Sequence, residues 1–161
     1  MTDFSTLIRV LANARVEFII VGGLAATIHG SSRLTQDIDV VYDRSAGNLD
    51  RLTRALAPYE PYLRGAPPGL PFEWSAKSLR SGLNFTLTTS LGDIDLLGEI
   101  TGGGGYNDLL PNSTEVTLFG LTARVLDLHT LIRTKRAAGR PRDLEVLAEL
   151  EALQQEIDRS R

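Results

Sequence analysis

Two short acidic patterns in this sequence have types and spacing suited to chemistry. Asp37-Ile38-Asp39 and Asp93-Ile94-Asp95 each set two carboxylates around one apolar residue, inside runs that read as strands. Side chains alternate along a strand, so both acids of a pair share one face while Ile38 and Val40 point to the other. Two like charges side by side repel, and a hard divalent cation such as Mg²⁺ removes that cost by taking carboxylate and phosphate oxygens as ligands. A single Asp-x-Asp is as a rule a solvated strand edge. Two of them, each in a β-type run, favour a metal site if the strands are neighbours. Three carboxylates can then orient a hydroxyl nucleophile and stabilise a leaving pyrophosphate with metal ions.

The elements that must position these acids follow from pattern. Phe4, Leu7, Ile8 and Leu11 have helical spacing, so residues 4–13 read as a helix. Residues 17–21 read as a buried strand that ends at Gly22-Gly23. A short helix over 24–29 is closed by Gly30, and residues 37–42 form the next strand. A helix is expected over 46–57 and strands over 84–89 and 93–97. A hairpin of 114–119 and 121–125 turns near Gly120. The chain closes with helices at about 127–138 and 142–158, separated by Gly139 and started by Pro141. The last helix carries Leu144, Leu147, Leu150, Leu153 and Ile157 in a stripe. Five of the seven prolines lie between Pro58 and Pro71, which reads as a loop, and Gly102–Gly105 reads as a flexible loop. No linker divides the chain, so residues 1–161 are expected to form one α/β domain: a mixed β-sheet flanked by helices, with a C-terminal helical pair.

Composition narrows the function. The 161 residues are 42% hydrophobic and contain no cysteine, which excludes disulfides and thiolate metal sites. No apolar run is long enough for a membrane span and no secretory signal is present, so a cytoplasmic protein without membrane contact is the expectation. The net charge of -3 hides an asymmetry. Residues 124–142 hold Arg124, Arg133, Lys135, Arg136, Arg140 and Arg142 against the single acid Asp127, and residues 143–158 hold six acids and no base. The basic segment can meet phosphate, or the two segments can neutralise each other as solvated faces.

Several other residues are candidates. Gly22 and Gly23 let backbone N–H groups approach a phosphate. Arg33 and Thr35 precede the first acid pair closely enough to meet a ligand. Lys135 continues the apolar side of its helix through Leu131 and Ile132, so it must find an anionic partner, either nucleotide phosphate or Asp143. Asp143 lies in the first turn of the last helix, where its charge complements the dipole. Arg133, Arg136 and Arg140 make a stripe that faces either nucleic acid or solvent. His29 reads as a helix-end residue, and Trp74 as a core residue more than a stacking platform. The glycine run at 102–105 lacks a following Lys-Ser/Thr and is no P-loop.

The segment VGGLAATIHGSSRLTQDIDVVYD, with the later GDIDLL, resembles the DNA polymerase beta-like nucleotidyltransferase superfamily. The closer likeness is to its minimal bacterial members and to the AbiE-type (AbiEii) toxins of abortive-infection systems. The resemblance implies metal ligation by Asp37, Asp39 and Asp95, with Mg²⁺ or Mn²⁺ as cofactor, and proton acceptance by Asp95. Asp95 is preferred to Asp93 because it reproduces the superfamily's Gly-x-apolar-Asp run. KRAAGRPRDLEVL is similar to the C-terminal Lys…Arg…Asp stretch of the toxins through Lys135, Arg140 and Asp143. The chain departs at Gly23, where many active members carry serine, and Ser31 or Ser32 is a candidate to compensate. The implied reaction moves a nucleoside monophosphate from a nucleoside triphosphate to a hydroxyl. The acceptors to consider are a tRNA, a protein hydroxyl or a small molecule such as an aminoglycoside, with RNA favoured by the basic helix. A cognate antitoxin protein is the implied partner. The alternative is a non-catalytic binding module or antitoxin partner that keeps the fold and the acids.

Overall fold

The computed structural model describes residues 1–160. Its centre is a seven-stranded mixed sheet in the order β3-β4-β5-β2-β1-β9-β8. In chain order the strands are β1 (Phe18–Val21), β2 (Asp37–Tyr42), β3 (Tyr62–Leu63), β4 (Phe85–Thr89), β5 (Gly92–Leu97), β8 (Ser113–Leu118) and β9 (Leu121–Leu126). A separate two-stranded ladder joins β6 (Glu99–Ile100) to β7 (Gly104–Gly105). The helices are α1 (Phe4–Asn13), α2 (Gly22–Ile28), α3 (Ala46–Leu56), α4 (Ala76–Ser81), α5 (Tyr106–Leu109), α6 (Leu128–Ala138) and α7 (Pro141–Arg159).

Two parallel pairings decide the fold. β2 lies beside β5 in a register that sets Asp37 opposite Asp93 and Asp39 opposite Asp95. β1 pairs antiparallel with β2 and parallel with β9, through Ile19↔Arg124 and Ile20↔Val125. The even-numbered residues of β2 and β5 explain the register. Ile38, Val40, Ile94 and Leu96 are at most 1% exposed and bury one face of the sheet. A slip of either strand by one residue would drive its two aspartates into that core. On this face Tyr42 donates its hydroxyl to Leu83 O at 2.8 Å, and Arg44 beyond it donates to Leu79 O in α4 at 3.0 Å. α1 packs on α3 and α3 on α4. The acidic face carries α2, which contacts α6, and α6 runs along α7.

Caps mark several helix starts where the sequence offers a short polar residue. Asp3 accepts from Thr6 N, Ser75 from Ser78 N and Asp127 from Thr130 N. Gly139 ends α6 in the left-handed conformation at φ +64°.

Four readings of the sequence need correction. The proline-rich segment 58–71 contributes β3, which closes one edge of the sheet against β4 through Tyr62↔Thr88 and Leu63↔Leu87. Gly104 and Gly105 are paired with Ile100 and Glu99 rather than free. α4 and α5 appear where no helix was expected, because helices of six and four residues are too short to show a period. In α7 the buried stripe runs through Val146, Leu147 and Leu150, while Leu144 and Ile157 are exposed.

Candidate active site

Each candidate acid is held by a specific local device. Thr2 bridges the starts of β2 and β5: its hydroxyl donates to Gln36 O and accepts from Asp93 N at 3.0 Å. Gly92, at φ +118°, lets Thr2 approach, since a Cβ there would lie 2.4 Å from Thr2 Cα. Gly22 does the same for Asp39. At φ +64° it opens α2, and a Cβ on it would fall 2.0 Å from Asp39 Oδ2.

The structure brings Asp37, Asp39 and Asp95 together, with one oxygen from each within 4.8 Å of the others. Asp93 shares their face but lies outside this group of three. Burial raises the Asp39 carboxyl to about 7, helped by repulsion from Asp37 and Asp95 and opposed by Lys135. Asp37 is also raised, first by burial and then by Asp95, against the pull of Arg64 and a Thr35 hydrogen bond. Among the described residues, Asp39 Oδ1 is buried and finds no hydrogen-bond partner. Polar atoms in that state are rare, so an orphaned carboxylate oxygen among three converging acids is what a hard cation site requires.

Lys135 and Asp143 approach from α6 and α7. Lys135 Nζ lies 3.6 Å from Asp143 Oδ1, with the lysine side chain 16% exposed and the aspartate 2%. Arg140 is the firmer partner of Asp143. Its Nε donates to Oδ2 at 2.7 Å, its Nη2 to Oδ1 at 3.3 Å and its backbone N–H to Oδ2 at 3.2 Å. Burial works to raise the Asp143 carboxyl, but Arg140 and Lys135 together hold it below the usual carboxylate range. Two adjoining cavities, of about 300 and 340 Å³, share Gly22, Asp39, Lys135, Arg140 and Asp143. The first is walled by Leu97, Ile100 and Leu131 and carries Asn84 and Glu99. The second is lined by Gly23, Arg33, Thr35 and Arg142.

The remaining candidates are tied down by protein contacts. Arg33 donates to Glu145 O at 3.2 Å and sits 3.8 Å from the Glu145 carboxylate. Thr35 donates to Asp37 O at 3.1 Å, and its hydroxyl oxygen is 2.8 Å from where a Cβ on Gly23 would stand. The space a serine at position 23 would use is therefore taken by the Thr35 hydroxyl. Ser31 and Ser32 do not serve that purpose, because both hydroxyls donate to the Glu149 carboxylate of α7, at 2.6 and 3.0 Å. Of the three stripe arginines, Arg136 of α6 pairs with Glu151, and Arg140, the N-cap of α7, is spent on Asp143. Among these three only Arg133 faces outward without such a pair. His29 meets Leu126 O at 2.7 Å, and Trp74 donates to Thr53 O at 2.9 Å, so both are structural.

Sequence reasoning missed Arg64. It follows β3 directly and reaches into the acid cluster. Nη2 lies 2.8 Å from Asp95 Oδ1, Nε 3.4 Å from Asp93 Oδ2 and Nη1 3.5 Å from Asp37 Oδ2. The only signal for it was the short Tyr62-Leu63-Arg64 run within the proline-rich stretch.

No protein-family model matches the sequence, and no curated protein matches it. Solved structures do. The lincosamide antibiotic adenylyltransferase LnuA, with lincomycin bound, is similar at TM-score 0.61 and 15% identity over 95% of this chain and 98% of its own. An antigenic nucleotidyltransferase-like protein from Paracoccidioides brasiliensis gives TM-score 0.57 and 16% identity over 92% of this chain and 73% of its own. A Thermotoga maritima protein described as a nucleotidyltransferase gives 0.50 and 16%, over 99% and 96%. Among the described residues no helix is long and apolar enough to cross a membrane. At these identities the likeness speaks for architecture, and with the seven-stranded mixed sheet and its two flanking helical layers it establishes that the chain has the nucleotidyltransferase fold.

Proposed function

We propose that the protein is a metal-dependent nucleotidyltransferase that moves a nucleoside monophosphate from a nucleoside triphosphate to a hydroxyl acceptor. The observation that carries this is the convergence of Asp37, Asp39 and Asp95 on one cavity wall facing Lys135. Asp37, Asp39 and Asp95 would hold Mg²⁺ or Mn²⁺. The ion supplies a Lewis acid that neutralises charge on the phosphates and lowers the pKa of the attacking hydroxyl. Lys135, with Arg33, Thr35 and the backbone at Gly22 and Gly23, would cradle the triphosphate. Asp95 takes the proton as the acceptor oxygen bonds to the α-phosphorus. The bond from that phosphorus to the bridging oxygen breaks, and pyrophosphate leaves. Little covalent chemistry falls to the protein, so rate comes from position and electrostatics.

The acceptor we favour is a small molecule bearing a hydroxyl. The basic stripe that favoured RNA is largely neutralised by α7, through Arg136–Glu151 and Arg140–Asp143. The end-to-end likeness to an antibiotic adenylyltransferase agrees with this. A second reading keeps the toxin-like role, with tRNA as acceptor and a cognate antitoxin as partner. Its support is that Lys135, Arg140 and Asp143 meet at the same cavity.

The test is incubation with each labelled nucleoside triphosphate and Mg²⁺, against a panel of lincosamides and aminoglycosides and, separately, total RNA. Labelled small molecule is the expected product, lost in Asp95→Ala and largely kept in Asp93→Ala. Label in RNA alone would select the toxin-like role. No transfer to either class, with intact triphosphate binding, would leave the non-catalytic module.

A further inference from the structure

Four carboxylates, from Asp37, Asp39, Asp93 and Asp95, crowd one face of two adjacent strands. One guanidinium faces three of them. We propose that Arg64 is the counter-ion of the cation-free acid cluster and competes with a divalent cation for Asp37 and Asp95. The proposal rests on the metal reading of that cluster given above.

The way Arg64 is held suits a group that must leave. It grips the acids by charge more than by hydrogen bonds. Nη2 hydrogen-bonds to Leu87 O at 2.6 Å, while Arg64 Nε and Asp95 Oδ1 have no hydrogen-bond partner. Release from the acids sacrifices electrostatic attraction and the close Nη2–Asp95 contact, and a full turn away also gives up the Leu87 O bond, but it breaks no bidentate fork, the arrangement that normally makes arginine–carboxylate pairs strong. Its backbone stays fixed, since its N–H donates to Thr86 O at 3.0 Å. The side chain can therefore swing while the sheet edge holds.

The contacts also give the exchange a direction. Arg64 makes no ion pair with Asp39, whose buried Oδ1 is left without a partner that a cation would supply. Asp93, outside the group of three acids, is the contact the guanidinium can keep when it gives up Asp37 and Asp95. On this view the second aspartate pair is divided in labour. Asp95 faces the cation, and Asp93 anchors the arginine that the cation displaces.

The experiment is Mn²⁺ titration calorimetry on the full chain, with thermal melts of the metal-free proteins. Arg64→Gln should bind Mn²⁺ roughly three- to thirtyfold tighter than wild type, the effect of removing one partly exposed competing charge. Its metal-free form should melt lower and regain the difference on adding Mn²⁺. Arg64→Lys should be intermediate, and Arg54→Gln, which removes an equal charge far from the cluster, should match wild type. Arg64→Met keeps the aliphatic stem and serves the same comparison if Arg64→Gln does not fold. Arg64→Gln binding no tighter than wild type overturns the proposal, while loss of binding in Asp37→Asn/Asp39→Asn shows that the metal reading survives it. Equal Mn²⁺ affinity in wild type and Asp37→Asn/Asp39→Asn would instead remove the metal reading and the counter-ion with it.

Discussion

Asp39 is the residue whose environment is most at odds with its charge. Its carboxyl is raised to about 7 in the folded chain from an ordinary 3.8. A raised folded value means that the native state binds the proton more tightly than the unfolded chain. The stability this contributes is complete below about pH 4 and is lost as pH rises through about 7. Asp37 acts in the same direction, and Asp143, held low, acts in the opposite one. Asp39→Asn should therefore raise the metal-free melting temperature at pH 8 by roughly 3–6 °C and change it little at pH 4.5. Mg²⁺ should stabilise wild type more at pH 8 than at pH 6, because its ligands must shed protons first. Melts across pH 4.5–8.5 decide this, and a pH-independent Mg²⁺ effect would contradict the site. Lys135 gives a second expectation. Asp143 has three hydrogen bonds from Arg140, so it does not depend on Lys135. Lys135→Ala should weaken triphosphate binding roughly ten- to a hundredfold, the worth of one charge-assisted contact, and cost about 1 kcal/mol or less in stability. Equal stabilisation of both proteins by Mg²⁺ and triphosphate in a thermal melt would remove Lys135 from the nucleotide site.

Elements position these residues through close approaches rather than long contacts. Gly22 is the clearest case, because it opens α2 at the very point where Asp39 stands. Gly22→Ala combines a positive φ with a Cβ inside the Asp39 carboxylate, so it should cost about 1–3 kcal/mol and lower Mn²⁺ affinity at least tenfold. A variant with unchanged Mn²⁺ titration would show that Asp39 need not stand there. The same scale shows what the sequence could reveal. The two acid pairs were legible because a period of two is local, and the apolar Ile38, Val40, Ile94 and Leu96 enforce it. Their alignment in one register was not legible, since it joins strands about half a hundred residues apart. Thr35 filling the place beside Gly23, and Glu149 claiming Ser31 and Ser32, are tertiary contacts that leave no mark on spacing. Arg64 was hidden for another reason. A two-residue strand among prolines looks like a loop until β4 is there to pair with it.

For the whole molecule, the acidic face works as a seam between the β2–β5 strands and the C-terminal helices. Glu145 and Glu149 of α7 clasp Arg33, Ser31 and Ser32, so the segment before β2 is fastened to the last helix. The central parallel pairing of β1 with β9 joins Ile19 to Arg124, across most of the chain. That pairing has a kinetic consequence. The β8–β9 hairpin is local and closes cheaply, but the sheet is complete only after a long loop has closed, so folding should be slow for a chain of this size. Asp39 and Asp95, on β2 and β5, are likewise joined by a non-local pairing, which is expected to form late. A cation that needs both has little to hold in the transition state. In stopped-flow denaturant jumps, Mg²⁺ should slow the unfolding arm of the chevron and leave the refolding arm nearly unchanged. A refolding rate that climbs with Mg²⁺ would mean that the two strands meet early. In the expected case the ion acts as a latch on a finished sheet, lengthening the life of the native state without hastening its birth.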